Sequence, residues 1–98
     1  MTNIQKLLTT SIDFEVCEYV LKNNKSIHLS FSDETVCFYM VSGCVALYQL
    51  DQSLNIIDND TLASGQFLKL NMNLIKSVLV ESIGSFDEDA KFLKITKN

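Results

Sequence analysis

This sequence lacks arginine and proline altogether, and it has only one histidine and three glycines among its 98 residues. Arginine is the usual clamp for phosphates and guanine edges, because its planar guanidinium offers two parallel donors. The eight basic side chains are all lysines, and twelve acidic side chains give a net charge of −4. Direct binding to nucleic acid or to an anionic membrane surface is therefore not expected, since both depend on clustered cations.

The scarcity of histidine also limits the chemistry that the chain can perform. A mononuclear metal site in a β-barrel takes two or three histidines and a carboxylate, whereas His28 stands alone on the polar side of an alternating stretch. The same histidine would be the one imidazole base for a serine or cysteine nucleophile. The glycines Gly43, Gly65 and Gly84 are isolated, so no glycine-rich phosphate loop is present. The sequence predicts no catalytic residue, no metal and no cofactor, hence a protein that is not an enzyme.

Targeting signals and cysteine usage point to one compartment. The start carries no basic leader followed by an apolar stretch, and the longest nearly uncharged run, residues 35–50, is too short to span a bilayer. Cys17, Cys37 and Cys44 form an odd set without metal-type spacing, which is typical of reduced thiols. We therefore expect a cytoplasmic protein without membrane contact.

The chain is predicted to form one domain over residues 1–98, beginning with a helical lead-in at residues 1–24. Ile4, Leu7 and Leu8 share one face at helical spacing. Residues 14–20 also alternate as a strand would, but the helix is the favoured interpretation.

Short β-type runs follow over residues 25–96. Apolar and polar residues alternate from Ser26 to Phe31, and two runs at 36–41 and 44–50 flank a Ser-Gly pair that predicts a hairpin turn. Further strands are expected at 55–57, 66–70, 77–83 and 91–95. This spacing predicts a mainly β fold, a double-stranded β-helix of the jelly-roll, β-roll or cupin-like kind, after the N-terminal helical segment.

One stretch resembles a known family. Residues 37–48, CFYMVSGCVALY, resemble the hairpin of the cyclic-nucleotide-binding β-roll in catabolite-activator-type transcription regulators. Residues 25–29 look like the strand that opens that roll, and residues 62–67, LASGQF, look like its glycine turn. The resemblance spans residues 22–96 and implies a β-roll sensor domain.

The nucleotide site implied by the resemblance is degenerate. The family holds the cyclic phosphate with a helix opened by a Gly-Glu pair and with an arginine. Here Lys69 and Leu70 stand in place of the pair, and Lys76 is the nearest cation. Lys69 and Lys76 are thus weak candidate ligand-binding residues. A roll that has lost cyclic nucleotide binding in this way resembles the roll of small enterobacterial winged-helix regulators of the hydrogen-peroxide-resistance-inhibitor type.

Cys37 and Cys44 are the candidate redox residues because they flank the predicted turn. In that hairpin Cys37 would face Tyr48, which leaves the two thiols roughly 13 Å apart along the strand, too far for a disulfide. No basic neighbour in the sequence would lower a thiol pKa. Core packing is therefore favoured over redox sensing.

Three functions remain open. The first is a non-enzymatic regulatory or sensor domain of a bacterial transcription regulator, for which we expect a homodimer, with DNA binding outside these residues. The second is a stand-alone barrel that binds a small apolar ligand. The third is a protein–protein interaction module.

Overall fold

The computed structural model describes residues 14–31, 35–70, 74–84 and 88–97. These residues form eight β-strands. Their bounds are β1 Phe14–Leu21, β2 Ser26–Ser30, β3 Thr35–Ser42, β4 Cys44–Leu50, β5 Ile56–Ala63, β6 Phe67–Lys69, β7 Ser77–Ser82 and β8 Ala90–Lys97. None of the described residues forms a helix long and apolar enough to cross a membrane.

The strands build two antiparallel four-stranded sheets that pack face to face. Sheet A has the order β1-β8-β3-β6, and sheet B has the order β2-β7-β4-β5. Strands that follow one another in sequence thus alternate between sheets at several points, as in a jelly roll. The predicted mainly β, double-stranded architecture is confirmed.

The helical prediction for residues 1–24 is wrong wherever the structure describes that segment. Strand β1 pairs with β8 along its whole length, from Phe14 opposite Lys97 to Leu21 opposite Ala90. The residues after it form a turn in which Asn24 adopts a positive φ of 63°. The helical spacing failed because an alternating stretch of β-branched and aromatic residues finds its strand partners, 69 to 83 residues away, only in the tertiary fold. Residues 1–13 lie outside the described residues.

The predicted hairpin around residues 42 and 43 is also wrong, because β3 and β4 belong to different sheets. Gly43 carries the chain across the corner between them with a φ of +79°. A Cβ at this position would lie 2.9 Å from both the Ala90 Cα and the Asp89 carbonyl oxygen. The glycine is therefore needed for a close approach of two backbones as well as for its conformation. The Ser-Gly pair correctly predicts a turn, but this turn is a corner between two sheets and not a hairpin.

The space between the sheets is filled by large apolar side chains from both sheets. Phe92 stacks on Tyr19 at a centroid distance of 5.2 Å and meets Phe38 at 5.8 Å. The largest fully buried side chains are Phe38, Phe92, Met40, Leu47, Val36, Val45, Val78, Val80 and Ser82. Burial of this set supplies the main stabilisation of the fold.

Strand β5 extends well beyond the predicted residues 55–57. It continues through an Asp-Asn-Asp sequence that, on its own, signals a break. The strand forms because it pairs with β4, and it tolerates these polar residues because it is an edge strand of sheet B, exposed along most of its length.

Candidate interaction surface

The interior of the sandwich offers few polar groups for chemistry. Gln49 is buried and points inward from β4, where its Nε2 donates a 3.0 Å hydrogen bond to Oδ2 of Asp60 on the neighbouring β5. Ser82 also points inward, and its hydroxyl has no hydrogen-bond partner among the described residues. Most of the other inward side chains are aliphatic or aromatic, and the polar groups among the described residues form no cluster around a reactive centre.

The described residues do not fit a metal centre of the histidine-rich kind that cupin-type barrels use. His28 is exposed, and it lies on the outer side of β2 because its neighbours Ile27 and Leu29 face the core. No group of three histidine, cysteine or acidic side chains within the described part of the chain is placed to hold a metal ion. The donor set that tetrahedral or octahedral coordination requires is therefore missing from these residues.

The two candidate lysines are not brought together. Lys69 ends β6 in sheet A and pairs with Cys37 of β3. Lys76 precedes β7 of sheet B, where its backbone N–H donates to the Leu50 carbonyl and its carbonyl accepts from Phe31. Both residues are exposed; Lys69 belongs to sheet A, whereas Lys76 lies just before a strand of sheet B. They therefore do not form one phosphate-binding pair, and their role in ligand binding stays a prediction.

The two candidate redox cysteines also separate. Cys37 lies on sheet A and Cys44 on sheet B, so the register distance predicted for a hairpin does not apply to them. Cys37 does have a basic neighbour, contrary to the sequence analysis. Burial nevertheless raises the pKa of the Cys37 thiol, and this effect outweighs the opposing influences of Lys69 and of a hydrogen bond from the Leu68 backbone. A thiol with a raised pKa is less nucleophilic at neutral pH, because less of it is thiolate.

The loop and strand after β4 expose three aliphatic side chains close together in sequence. Leu54 is 62% exposed at the tip of the β4–β5 turn, and Ile56 and Ile57 are exposed at the start of β5. We call Leu54, Ile56 and Ile57 the aliphatic tip. Contiguous exposed apolar residues of this kind are a mark of interaction sites in folded proteins.

The turn that carries the tip is held in one conformation by Asp51. Its carboxylate Oδ1 accepts hydrogen bonds of 2.9 Å from the backbone N–H groups of Ser53 and Asn55. Its own N–H donates to the Asn55 carbonyl, and its carbonyl accepts from Leu54. Leu54 is thereby held at a φ of +65°. A branched side chain seldom adopts this left-handed conformation, because its Cβ crowds the backbone.

A β-bulge sets the geometry of the two isoleucines. Gln49 pairs with Asp58 and Leu50 pairs with Ile56, which leaves Ile57 as an extra residue. Strict alternation would turn one of two consecutive side chains inward, whereas the bulge allows both to be exposed. The sequence analysis missed the tip, although a run of Leu, Ile and Ile between a turn and an Asp-rich segment was the available signal.

Comparison with known proteins gives a fold but no family. No family pattern and no curated sequence matches this chain significantly. Among solved structures, it resembles BH2720 from Bacillus halodurans with a TM-score of 0.73 at 9% identity, over 99% of this chain and 79% of that one. It resembles a cupin 2 domain-containing protein from Halorhodospira halophila with a TM-score of 0.69 at 14% identity, over 95% of this chain.

An enzyme is among the similar structures too. Ectoine synthase from P. lautus matches with a TM-score of 0.65 at 7% identity, over 88% of this chain. The chain spans little more than half of the length of the latter two proteins, 57% of the cupin 2 domain-containing protein and 54% of the ectoine synthase. These likenesses establish a cupin-type fold. They leave open whether the protein is an enzyme, and they do not show a cyclic-nucleotide-binding regulator.

Proposed function

We propose that this protein acts by binding a partner protein through the aliphatic tip, and that its cupin-type sandwich is a scaffold without a catalytic centre. The observation that carries the proposal is the conformation of Leu54: its side chain is 62% exposed and its backbone φ is +65°. This conformation costs a leucine about 1 to 2 kcal/mol, and exposure returns none of that cost. A residue that folding does not need at this place is explained by contact with another molecule.

The charges around the tip indicate the kind of partner. Asp51 lies at the base of the turn and Asp58 follows the two isoleucines, and the exposed Asp58 is close to the tip in sequence. An apolar surface with lysine or arginine at its rim would therefore complement the tip. A second copy of the same tip fits less well, because it would bring like carboxylates together.

A photo-crosslinking residue placed at position 57 of the full chain tests this contact in cells. We expect a crosslinked product that disappears when Leu54→Asn is added and that weakens at higher salt. Asparagine adopts the left-handed conformation readily, so this variant should keep the turn while removing the apolar side chain. The matched control places the crosslinker at exposed His28. Equal products from both positions, or a product insensitive to Leu54→Asn, would refute the proposed site.

The packed interior supports this function over a small-ligand barrel and over catalysis. The side chains of Phe38, Phe92 and Met40 occupy the middle of the sandwich, where an apolar ligand would have to bind. Two of the polar groups that reach the interior, Gln49 and Asp60, are bonded to each other. The absence of enzymatic activity is part of this proposal, since the cupin-type fold alone does not decide it.

In a narrower form of this proposal, the protein is a sensor domain of a bacterial transcription regulator whose DNA-binding part lies outside these residues. The resemblance of residues 37–48 supports it, and the separation of Lys69 from Lys76 supports the loss of cyclic nucleotide binding. Thermal unfolding with cyclic AMP or cyclic GMP is therefore expected to show no stabilisation. A rise of several degrees in the unfolding temperature with either nucleotide would contradict this narrower form. It would not bear on the contact at the aliphatic tip, which the crosslinking experiment tests separately.

A further inference from the structure

The edge strands of the two sheets differ in how their free edges are protected from pairing with another chain. Strand β6 is three residues long and β2 is five residues long. Strand β5 is longer, but it contains Asp58 and Asp60 and is interrupted by the bulge at Ile57. Short length, charge and bulges all hinder the addition of a further strand. These three edges are therefore poor sites for pairing.

Strand β1, the remaining edge strand, is the exception. It has eight residues and pairs with β8 without a register shift. It contains neither lysine nor proline, and its Val20 is 51% exposed. No strand among the described residues pairs with its other edge. A long and regular edge of this kind presents a row of backbone N–H and C=O groups with which a second strand can pair.

We propose that β1 pairs with β1 of a second copy of this chain, antiparallel, so that the two copies of sheet A join into one continuous sheet. A tight turn leads from β1 to β2, in which the Lys25 N–H donates to the Lys22 carbonyl. The edge strands β1 of sheet A and β2 of sheet B therefore lie at the same side of the sandwich. When both copies of sheet B lie on one side of the joined sheet, their β2 strands approach as well, and the contact extends through both layers.

The sequence of β1 determines the register of this pairing. When the inward sides of the two copies coincide, a symmetric antiparallel pair has one central residue that lies opposite itself. Cys17 and Glu18 are at the middle of β1, so a pair centred on either of them has the longest overlap. A centre at Glu18 would place two carboxylates directly opposite each other, which is destabilising. The pair is therefore centred on Cys17.

This register places no like charges opposite each other. Residues 14–20 of the two copies overlap, with Glu15 opposite Tyr19 and Glu18 opposite Val16. The two Cys17 residues then have their Cα atoms about 4.5 to 5.5 Å apart, which is within the range of a disulfide. The aliphatic tip lies on β5, at the edge of sheet B opposite to β2, so the dimer leaves both tips accessible. The dimer is thus independent of the proposed contact at the tip.

Sedimentation equilibrium of the unsubstituted chain under reducing conditions tests for the dimer. We expect a dimer at about 100 µM protein, with a dissociation constant that can be measured by dilution. The dimer fraction should rise with salt, because each copy carries a net charge of −4 and salt screens their repulsion. A monomer at this concentration at both low and high salt would overturn the proposal.

Disulfide formation tests the register. In a full chain with Cys37→Ser and Cys44→Ser, oxidation by diamide should link two copies through Cys17. The matched control adds Cys17→Ser and Val20→Cys, which moves the thiol to a more exposed position of the same strand. In the proposed register, position 20 lies about 20 Å from its equivalent in the second copy. Linking through Cys17 should therefore be about ten-fold faster or more, because the dimer raises the effective concentration of that thiol alone.

The other outcomes of the oxidation experiment count against the proposal. Linking at equal rates through the two positions, or faster linking through position 20, would overturn the register centred on Cys17. A dimer in sedimentation that is not linked through Cys17 would assign the contact to another surface. Neither result would bear on the crosslinking test at position 57, so failure of the dimer and failure of the tip contact are distinguishable.

Discussion

The two sheets of this sandwich differ most on the sides that face away from each other. The outer side of sheet B is polar along β2, where Ser26, His28 and Ser30 are exposed. The outer side of sheet A has Leu93 and Ile95 at its centre, both nearly inaccessible to solvent. The inward sides have the same apolar character in both sheets, because the fold requires a common core. Outward residues do not contribute to this common core, so the two sheets can differ there.

The sequence records this difference in two kinds of strand. In β2 the polar and apolar residues alternate, as expected for a strand with one face in water. In β3 residues 36–41 are an unbroken apolar run, and β8 places Phe92 and Leu93 side by side on opposite faces. Such runs are typical of strands buried on both sides. The central strands β3 and β8 of sheet A are thus buried on both sides, whereas β2 of sheet B has one side in water.

The largest expected effect comes from truncating an outward-facing side chain on a central strand of each sheet. Leu93→Ala on β8 should lower the free energy of unfolding by about 3 kcal/mol, because it leaves a cavity in a closed environment. Leu79→Ala on β7, at the corresponding place in sheet B, should cost about 1 kcal/mol, since that side chain is only partly buried. Urea denaturation of both variants measures the difference. Equal losses would mean that the two outer sides are equally covered.

The corner between the sheets gives the next effect. Gly43→Ala should lower the free energy of unfolding by about 3 kcal/mol, because left-handed strain adds to a backbone clash with Asp89 and Ala90. Gly65→Ala is the matched control. Its φ of +86° is similar but nothing lies within 4 Å of the added Cβ, so it should cost about 1 kcal/mol. Thermal or urea unfolding separates the two, and a loss at Gly65 as large as at Gly43 would show that the close approach contributes nothing.

These comparisons also show how far the sequence could specify the fold. Local alternation was sufficient to predict β2 and the mainly β class. It could not assign β3 and β4 to different sheets, because the turn at Gly43 has the same residues in a hairpin and in a corner. Alternation over residues 14–20 was compatible with β1 but could not decide against a helix, because the partner strand β8 begins at Ala90 and no local pattern records a pairing over that distance.

The candidate sites show the same difference between local patterns, which the sequence reveals, and strand pairings, which only the fold reveals. The isolation of His28 is visible in composition, and its exposed position was predicted from alternation. The proximity of Lys69 to Cys37 depends on the pairing of β3 with β6, so it was missed. The aliphatic tip was missed for another reason: its exposure depends on a bulge and on the hydrogen bonds of Asp51, which are features of the folded backbone.

The smallest expected effect concerns pH and again distinguishes the two sheets. Burial on sheet A raises the pKa of Cys37 above its ordinary value. The unfolded chain therefore loses the thiol proton first as pH rises above about 8.5, and the folded chain follows at a higher pH. Stability contributed by the neutral thiol is complete below the unfolded pKa and is lost as pH rises through the folded pKa. The free energy of unfolding should thus decrease with pH in this alkaline range.

Replacing Cys37 removes the titrating group and should flatten the alkaline decrease. Urea unfolding between about pH 7.5 and 10 measures it, in the original chain and in Cys37→Ser and Cys37→Val. The serine and valine variants differ in how well they pack, so they will differ in absolute stability, but both should lose the same part of the pH dependence. An undiminished slope in both would mean that the thiol titrates alike in the folded and unfolded chains. The outer face of sheet A would then be no less hydrated at Cys37 than an open surface, and its contrast with sheet B would be confined to the centre around Leu93.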